Sequence, residues 1–547
     1  MARGPAAAEG VKNDLNQMFQ TQAGVEGFFG VKPGPEPVEP PPPEIPTPKK
    51  LAKNFDDYRD LFTKLEQPLP LPLSAYDWRE NSDFSKQRLQ GPQPNKIEKA
   101  DAAAVAKFAA LSTPEYAELN AEVQKALAAG QLLICDYSAF MGMKGSYEGG
   151  KEKFVTPAMA LFRVTQDKAW YDRMPIEPLA IQLEQDEQNS PYPIFTPDLG
   201  NTWEIAKAAF TAADGSYYQQ VAHLGETHMV VEAFIPATHR QLAPLHPLHL
   251  LLVPHFEGTC LINFGATKSL LQPGGVTDLI VSNSNASMQA LMTEKILARL
   301  GRDFSHPAEV KARGMDKANF PHRYMYRDCG QLHWDALHDW VRNYLQIYYG
   351  STKEEQKSAI AADNELKDFV AELISQKGGK VGWLEKEWAG SDDQFALLVK
   401  VTTAVIYTAS VMHAAVNFPQ ITTTCFAPAY PFSCYAPIPT DTSERPGSAI
   451  FDILPDLDSA VLGKTVSLLG GVGFGVLGRY RPGHFADERV APVLQSYHEA
   501  LASIGETIEG MNAEINDAWD DTPYGRKRSE AMQYQILNPP DIPQSIK

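Results

Sequence analysis

Two pairs of polar side chains, 190 residues apart, constrain this chain more than any other feature of its sequence. The first pair is His223 and His228, and the second is His413 and Asn417. Each pair lies in a mostly apolar segment with helical character. Imidazole and amide donors without cysteine suit a redox-active first-row metal better than a structural zinc. The sequence therefore predicts one buried metal held between two long helices.

The spacing within each pair places a demand on the backbone. His413 and Asn417 are four residues apart, about 40° around an α-helix, so they share one face. His223 and His228 are five residues apart, about 140° around a regular α-helix, and would point away from each other. A π-type turn would bring both onto one face, and such turns cluster at functional sites. We therefore predict a π-type turn here; the alternative is that these are separate core or surface histidines.

Further motifs occur around these pairs in the order known from one enzyme family. The stretch around His223 and His228 resembles the iron-binding core of the lipoxygenases. Similar elements extend from about residue 83 to the C-terminus, which makes the signal far more specific than two histidines alone. These elements are FSKQRLQGP at 84–92, PLAIQL at 178–183, WEIAK at 203–207, LHPL at 245–248, IN at 262–263 and YTAS at 407–410.

The resemblance implies a mainly α-helical lipoxygenase-type catalytic domain. Its expected form is a helical bundle around two long metal-ligand helices, with a small β portion. We place this domain at residues 51–547, after an N-terminal segment and proline-rich linker at residues 1–50. Nine of the sixteen residues from 33 to 48 are proline, which favours an extended linker. The chain looks like a bacterial-type member without the N-terminal β-barrel that plant and animal members usually carry.

The resemblance also implies the chemistry. In this family a non-haem iron removes hydrogen from the methylene between two cis double bonds of a polyunsaturated fatty acid, and O2 adds to the resulting radical. One iron per chain is expected here, and manganese is less favoured. Linoleate or arachidonate is the expected type of substrate. The implied metal ligands are His223, His228, His413 and, more weakly, Asn417. Gln219 and Gln420 are expected to link the ligand helices by hydrogen bonds.

Two other functions remain open for such a chain. A hydroperoxide isomerase or epoxyalcohol synthase could use the same ligands, and an inactive lipid-binding homologue could keep the fold. Five residues align with the substrate channel of the family: Ala266, Leu270, Thr277, Ile280 and Val281. At the position of Ala266, alanine tends to accompany S products and glycine R products. His246, His249 and His255 are expected to be structural and not metal ligands.

Three positions depart from the family pattern. Tyr430 stands where many plant enzymes carry an arginine that neutralises a carboxylate entering head-first. Pro419 replaces a glycine after the motif HAAVNF, and we expect it to alter the turn that follows Asn417. The terminal isoleucine, whose carboxylate is normally a ligand, has no counterpart after Lys547. The tail is still expected to thread into the core, because residues 542–546 keep the family pattern.

The composition of the chain limits the kinds of partner and the cellular location that can be expected for it. The formal net charge of −18 argues against nucleic acid and against a polybasic membrane patch. No transmembrane helix is expected, because no run of about 18 apolar residues occurs; transient contact with a membrane surface stays open. Residues 1–10 lack the apolar core of a secretory signal. The five cysteines form no CxxC motif, which favours free thiols and a cytoplasmic location.

Overall fold

Helices make up most of the protein, as the sequence predicts. The computed structural model describes residues 50–63, 71–72, 74–148, 151–165, 174–186, 190–471, 475–519 and 533–546. The predicted N-terminal segment and proline-rich linker lie outside the described residues, apart from Lys50.

The α-helices divide at two long segments that carry the histidine pairs. Before the first segment come Phe55–Asp60, Ser74–Asp77, Asn81–Gln90, Ala102–Ala106 and Ala117–Ala128. Between the two segments come Ile235–Gln241, Pro247–Leu252, Thr259–Ser269, Val276–Ile280, Asn285–Leu300, His306–Ala312, Met325–Tyr349, Lys353–Ala362, Asn364–Ile374 and Gly382–Trp388. After the second segment come Ile450–Ile453, Leu457–Ser467 and Val490–Trp519.

The β portion is small and antiparallel, as expected. Strands β1 (Glu98–Lys99), β2 (Leu132–Asp136), β5 (Met159–Val164) and β6 (Ile176–Gln182) form one sheet in the order β1-β2-β5-β6, and β3 (Tyr147–Glu148) and β4 (Lys151–Glu152) form a separate hairpin. The motif PLAIQL lies on β6. Both faces of the sheet are buried at β2 and β5, so the sheet packs inside the helical body and not at its surface.

The first long segment, which we call the His223 helix, changes its winding at the predicted place. It is α-helical over Asn201–Tyr217, π-helical over Tyr218–Met229 and α-helical again over Val230–Glu232. The predicted π-type turn is therefore confirmed. The helix ends at Glu232, and the next helix starts at Ile235 with Pro236 in its first turn, where a proline is tolerated.

The second segment, which we call the His413 helix, contains a π turn that the sequence pattern did not predict. It runs as α-helix over Gln394–Tyr407, π-helix over Thr408–Met412 and α-helix over His413–Asn417. A further π turn over Gln420–Thr424 follows Pro419. The stretch Gln394–Thr424 is long and apolar enough to cross a membrane, but 83% of its most apolar window is buried. Such burial is what a helix in the core of a protein shows.

Buried polar side chains hold the C-terminal tail inside the fold. His333 Nε2 contacts the carbonyl of Leu537 at 2.9 Å, and His255 Nδ1 contacts the carbonyl of Gln544 at 2.7 Å. Ile546 is fully buried, so the tail threads into the core as expected, while Lys547 lies outside the described residues. His255 thus has the structural role predicted for it. His246 also has one, since it pairs with Asp363.

Protonation of the buried histidines will make this fold sensitive to acid. Burial lowers the pKa of His255 and His333 to about 4 and that of His306 to about 3, while an unfolded histidine titrates near pH 6.5. Unfolding therefore takes up protons below pH 6.5, so the stability present above that pH is lost as the pH falls towards about 4. We expect a loss of about 2 kcal/mol per histidine between pH 7.5 and 4.5.

Denaturant unfolding at the two pH values measures this loss. His333→Gln, which removes one of the buried imidazoles, should make the free energy of unfolding less dependent on pH. An equal free energy of unfolding at pH 7.5 and 4.5 would contradict the assignment of these histidines as buried and neutral.

Candidate metal centre

Three imidazole rings from the two long helices converge on one point. His413 Nε2 lies 3.2 Å from His223 Nε2 and 3.0 Å from His228 Nε2. One ring nitrogen of each histidine lies within 4.8 Å of those of the other two, and all three residues are buried. The structure thus brings together the three histidines that the sequence predicts as ligands.

The π turn makes this convergence possible. A π-helix adds one residue to the turn, so that residues five apart, such as His223 and His228, come to lie on one face. Their ring centroids are 5.0 Å apart, close to the 5.2 Å between His223 and His413. A regular α-helix over the same residues would direct the two rings about 140° apart.

The protonation state of His228 follows from its neighbours. Its Nδ1 lies 2.9 Å from Oδ1 of Asn263. The amide orientation of Asn263 is set by two donated hydrogen bonds, to Glu232 at 2.6 Å and to the carbonyl of His228 at 3.2 Å. Because Asn263 Oδ1 is an acceptor, the proton of His228 must be on Nδ1, so the lone pair of Nε2 faces the other two rings.

Electrostatics at the site favour neutral imidazoles. Burial lowers the pKa of His223 well below its usual value, and the nearby His228 lowers it further. Burial also lowers the pKa of His228 to about 4, against a smaller opposite effect of the hydrogen bond to Asn263. Neutral nitrogen lone pairs that meet in a buried space repel one another, whereas a cation between them would be bound by all three. The donor set therefore fits a transition-metal ion.

Asn417 is one turn after His413 and is held by its surroundings. Gln420 donates to Asn417 Oδ1 at 2.7 Å, and Asn417 Nδ2 donates to the carbonyl of Gly470 at 3.2 Å. A Cβ atom at Gly470 would lie 2.8 Å from the Asn417 carbonyl oxygen, so this close approach needs glycine. These contacts orient the amide and leave Oδ1 a second lone pair. The role of Asn417 as a weaker ligand stays a prediction.

Among the described residues, the side-chain hydrogen bonds of Gln219 and Gln420 do not include one between the two long helices, and their role in linking the ligand helices stays a prediction. Gln420, in the π turn after Pro419, donates to Asn417 at the end of the His413 helix. Tyr218 supplies a link between the two long helices. Its hydroxyl donates to the Val416 carbonyl at 2.5 Å, and its ring stacks on His223 with centroids 6.2 Å apart. A buried tyrosine hydroxyl usually finds an acceptor, and this tendency is the sequence signal that points to a partner for Tyr218.

Tyr430 belongs to a buried ionic cluster and not to an open entrance. Its hydroxyl donates to Asp214 at 2.5 Å, and Asp214 also pairs with Arg88 at 2.8 Å and accepts a hydrogen bond from Tyr137. Burial and the charge of Asp214 raise the pKa of Tyr430 well above its usual value, so the phenol stays protonated. The cluster fixes the His223 helix, which carries Asp214, against the segment at Tyr430.

The channel candidates are buried, in two groups. Ala266 and Leu270 pack in one apolar cluster with Leu224, which directly follows His223. Ile280 and Val281 pack in another cluster, and the Thr277 hydroxyl donates to the Leu270 carbonyl at 2.6 Å. Ala266 and Leu270 adjoin the His223 helix, as the wall of a substrate channel would. The assignment of these residues to a channel stays a prediction.

Comparisons with known proteins agree on one family. The family model Lipoxygenase matches residues 8–539. The chain is 33% identical over 496 residues to a linoleate 9/13-lipoxygenase of Pseudomonas aeruginosa, covering 87% of this chain and 68% of that protein. It is 27% identical over 504 residues to the hydroperoxide isomerase ALOXE3 of Mus musculus, covering 90% of this chain and 66% of that protein. It also shares the fold of coral 8R-lipoxygenase, with a TM-score of 0.75 at 23% identity, over 99% of this chain and 74% of that chain.

Removal of the Asn263 amide will test how His228 is held. We expect Asn263→Ala to weaken metal binding roughly 10- to 100-fold, the usual effect of losing a partner that orients a ligand. Competition with a metal chelator measures the affinity. The exposed Thr267→Ala on the same helix is the control and should bind metal as the wild type does. Equal affinity of Asn263→Ala and wild type would show that Asn263 does not set the His228 tautomer.

Proposed function

The chain belongs to the lipoxygenase family of dioxygenases, and we propose that it uses one non-haem iron to convert polyunsaturated fatty acids and O2 into fatty-acid hydroperoxides. The observation that carries this proposal is the convergence of His223, His228 and His413 as three buried, metal-competent imidazoles. Linoleate and arachidonate are the proposed type of substrate. The names of relatives, such as the linoleate 9/13-lipoxygenase of P. aeruginosa, support this choice.

The residues of the site have distinct roles in this proposal. His223, His228 and His413 would hold the iron, which when bound supplies a one-electron oxidant for removing hydrogen from the substrate methylene. Asn263 keeps the proton of His228 on Nδ1, and Tyr218 holds the two ligand-bearing helices together. The apolar cluster around Ala266 and Leu224 excludes water next to the histidines and offers a surface that suits an acyl chain.

A cytoplasmic location is part of the proposal. All five cysteines are free thiols, and four of them are buried. Free thiols are typical of proteins in a reducing compartment, which supports this location.

Metal analysis and oxygen uptake together test the function. The purified wild type should contain about one iron per chain, consume O2 with linoleate and form a conjugated diene. His413→Ala should lose both the iron and the oxygen uptake, because it removes one of three ligands. His239→Ala changes an exposed histidine and is the matched control. Full iron content and rate in His413→Ala would overturn the proposed site.

A fatty-acid hydroperoxide as substrate separates the alternatives. The hydroperoxide isomerase alternative has support from the similarity to ALOXE3. If the protein consumes no O2 with linoleate but converts the hydroperoxide into an epoxyalcohol, it is an isomerase. If it does neither and still binds iron, the lipid-binding alternative holds.

The side chain at position 266 is expected to steer where oxygen adds. Ala266 is buried beside Leu224, so its methyl group would narrow the approach of O2 at one end of the substrate radical. Ala266→Gly should therefore shift the product mixture from S towards R stereochemistry. Chiral chromatography of the hydroperoxides measures the ratio. The same regio- and stereoisomer ratio in both proteins would show that this residue does not direct oxygen.

A further inference from the structure

A polar cavity of about 410 Å³ lies beside the His223 helix, and we call it the Lys96 cavity. Its wall includes residues from 93–98 and 136–139, the C-terminal end of the helix Asn285–Leu300, and the helix His306–Ala312. Tyr217 and Glu226 of the His223 helix also line it. None of the three converging histidines lines this cavity, and neither does any member of the apolar cluster around Ala266. The cavity is therefore separate from the site already described.

Basic side chains outnumber acidic ones in the Lys96 cavity, although the whole chain is acidic. The chain has 67 Asp and Glu against 49 Lys and Arg, whereas five Lys and Arg and four Asp and Glu line the cavity. Lys96 and Arg313 form no ion pair with a described residue. The ammonium of Lys96 lies 5.4 and 5.0 Å from the ring centroids of Tyr137 and Tyr217, and Arg313 donates to the carbonyl of Ile97 at 2.6 Å. These two cations are thus available to an anionic group.

The cavity also contains acceptors that the described residues leave unused. Gln93 is 2% exposed, and its Oε1 has no hydrogen-bond partner among the described residues. The buried Glu226 forms no ion pair with them either, whereas Glu309 is shared by Arg299 at 2.5 Å and Arg302 at 3.3 Å. A buried polar group without a partner destabilises the protein. A molecule that donates hydrogen bonds to Gln93 and Glu226 would offset this cost.

The Lys96 cavity adjoins both long helices without including the metal ligands. Glu226 lies between His223 and His228 in the π-helical part of the first helix. Arg299, which also lines the cavity, contacts the sulfur of Met412 at 3.0 Å, and Met412 directly precedes His413. A molecule in this cavity would therefore contact side chains that neighbour the three histidines in the fold.

We propose that the Lys96 cavity binds a small hydroxylated anion, either a phosphate monoester or a hydroxycarboxylate. The anionic group would lie at Lys96 and Arg313, where charge-assisted hydrogen bonds are strong, and a hydroxyl would donate to Gln93 or Glu226. The volume lies within the range of roughly 300–1,000 Å³ that is usual for small-molecule sites. The lining does not suit an acyl chain, because only Ala139, Val310 and Ala312 lack a polar side-chain atom.

Calorimetric titration of the purified full chain with glycerol 3-phosphate and with malate tests this site and separates the two classes of anion. At least one of them should bind at one site per chain with a Kd of about 1 mM or lower. Lys96→Gln should weaken that binding about ten-fold or more, because a charged donor is lost. Lys311→Gln is the matched control: Lys311 is exposed on the helix His306–Ala312 but does not line the cavity, so the affinity should not change.

A second variant separates a ligand site from a charge network that only stabilises the fold. Gln93→Leu replaces a buried amide with an unpartnered oxygen by an apolar side chain of similar size. Its thermal unfolding midpoint should equal or exceed that of the wild type, while its affinity for the anion should fall about ten-fold. A merely structural role of Gln93 would change the unfolding midpoint and leave the affinity unaltered.

Three results would overturn the proposed anion site. One is no binding of either compound at up to about 10 mM. Another is equal affinity of the wild type and Lys96→Gln, which would place the bound anion elsewhere. The third is equally tight binding of sulfate, which has the charge but no hydroxyl group to donate, and which would make this an adventitious ion only. The titration involves no turnover, so each of these results leaves the proposed function intact.

Discussion

The convergence of three neutral imidazoles between two helices is the constraint on which the rest of the structure depends. Two of the histidines are five residues apart on one helix, so that helix must adopt π winding to direct both to one side. The His413 helix has its own π turn immediately before His413. Both departures from α-helix occur next to the predicted ligands. Without a metal ion, the protein must bury three imidazole nitrogen atoms that face one another. A metal ion would bind all three of them.

Asn263 and Tyr218 give two of the polar groups around this centre specific partners, which holds the helices more firmly than apolar packing alone would. The carboxamide of Asn263 accepts from His228 and donates to Glu232, and the phenol of Tyr218 crosses to the backbone of the facing helix. Loss of one such partner leaves a buried donor or acceptor unpaired, at a cost of about 1–3 kcal/mol. The pair of Arg88 and Asp214 anchors the same helix farther from the metal. Tyr430 donates to the same Asp214 carboxylate, so this position belongs to the buried ionic cluster.

The helix Thr259–Ser269 connects the chemistry to the protein surface. Its buried side carries the contact to His228, and its outer side carries the exposed apolar residues Leu261 and Phe264. Because this short helix has one exposed face and one buried face, its surface residues lie close to the metal centre while the site stays closed to solvent. The arrangement follows from the helical period, because residues three apart share a face while their neighbours point elsewhere.

The sequence alone determined the family, the mainly helical fold, the three candidate metal ligands and the π turn. It could do so because ligand chemistry and helical geometry restrict which residues can meet at which spacing. It did not predict the second π turn, the tyrosine link between the helices, or the use of Tyr430 by a buried ion pair. The tyrosine link and the role of Tyr430 depend on contacts between residues about 200 positions apart, namely Tyr218 with Val416 and Asp214 with Tyr430. A local pattern predicts that a buried tyrosine or aspartate needs a partner, but only the packed tertiary structure decides which group lies within reach.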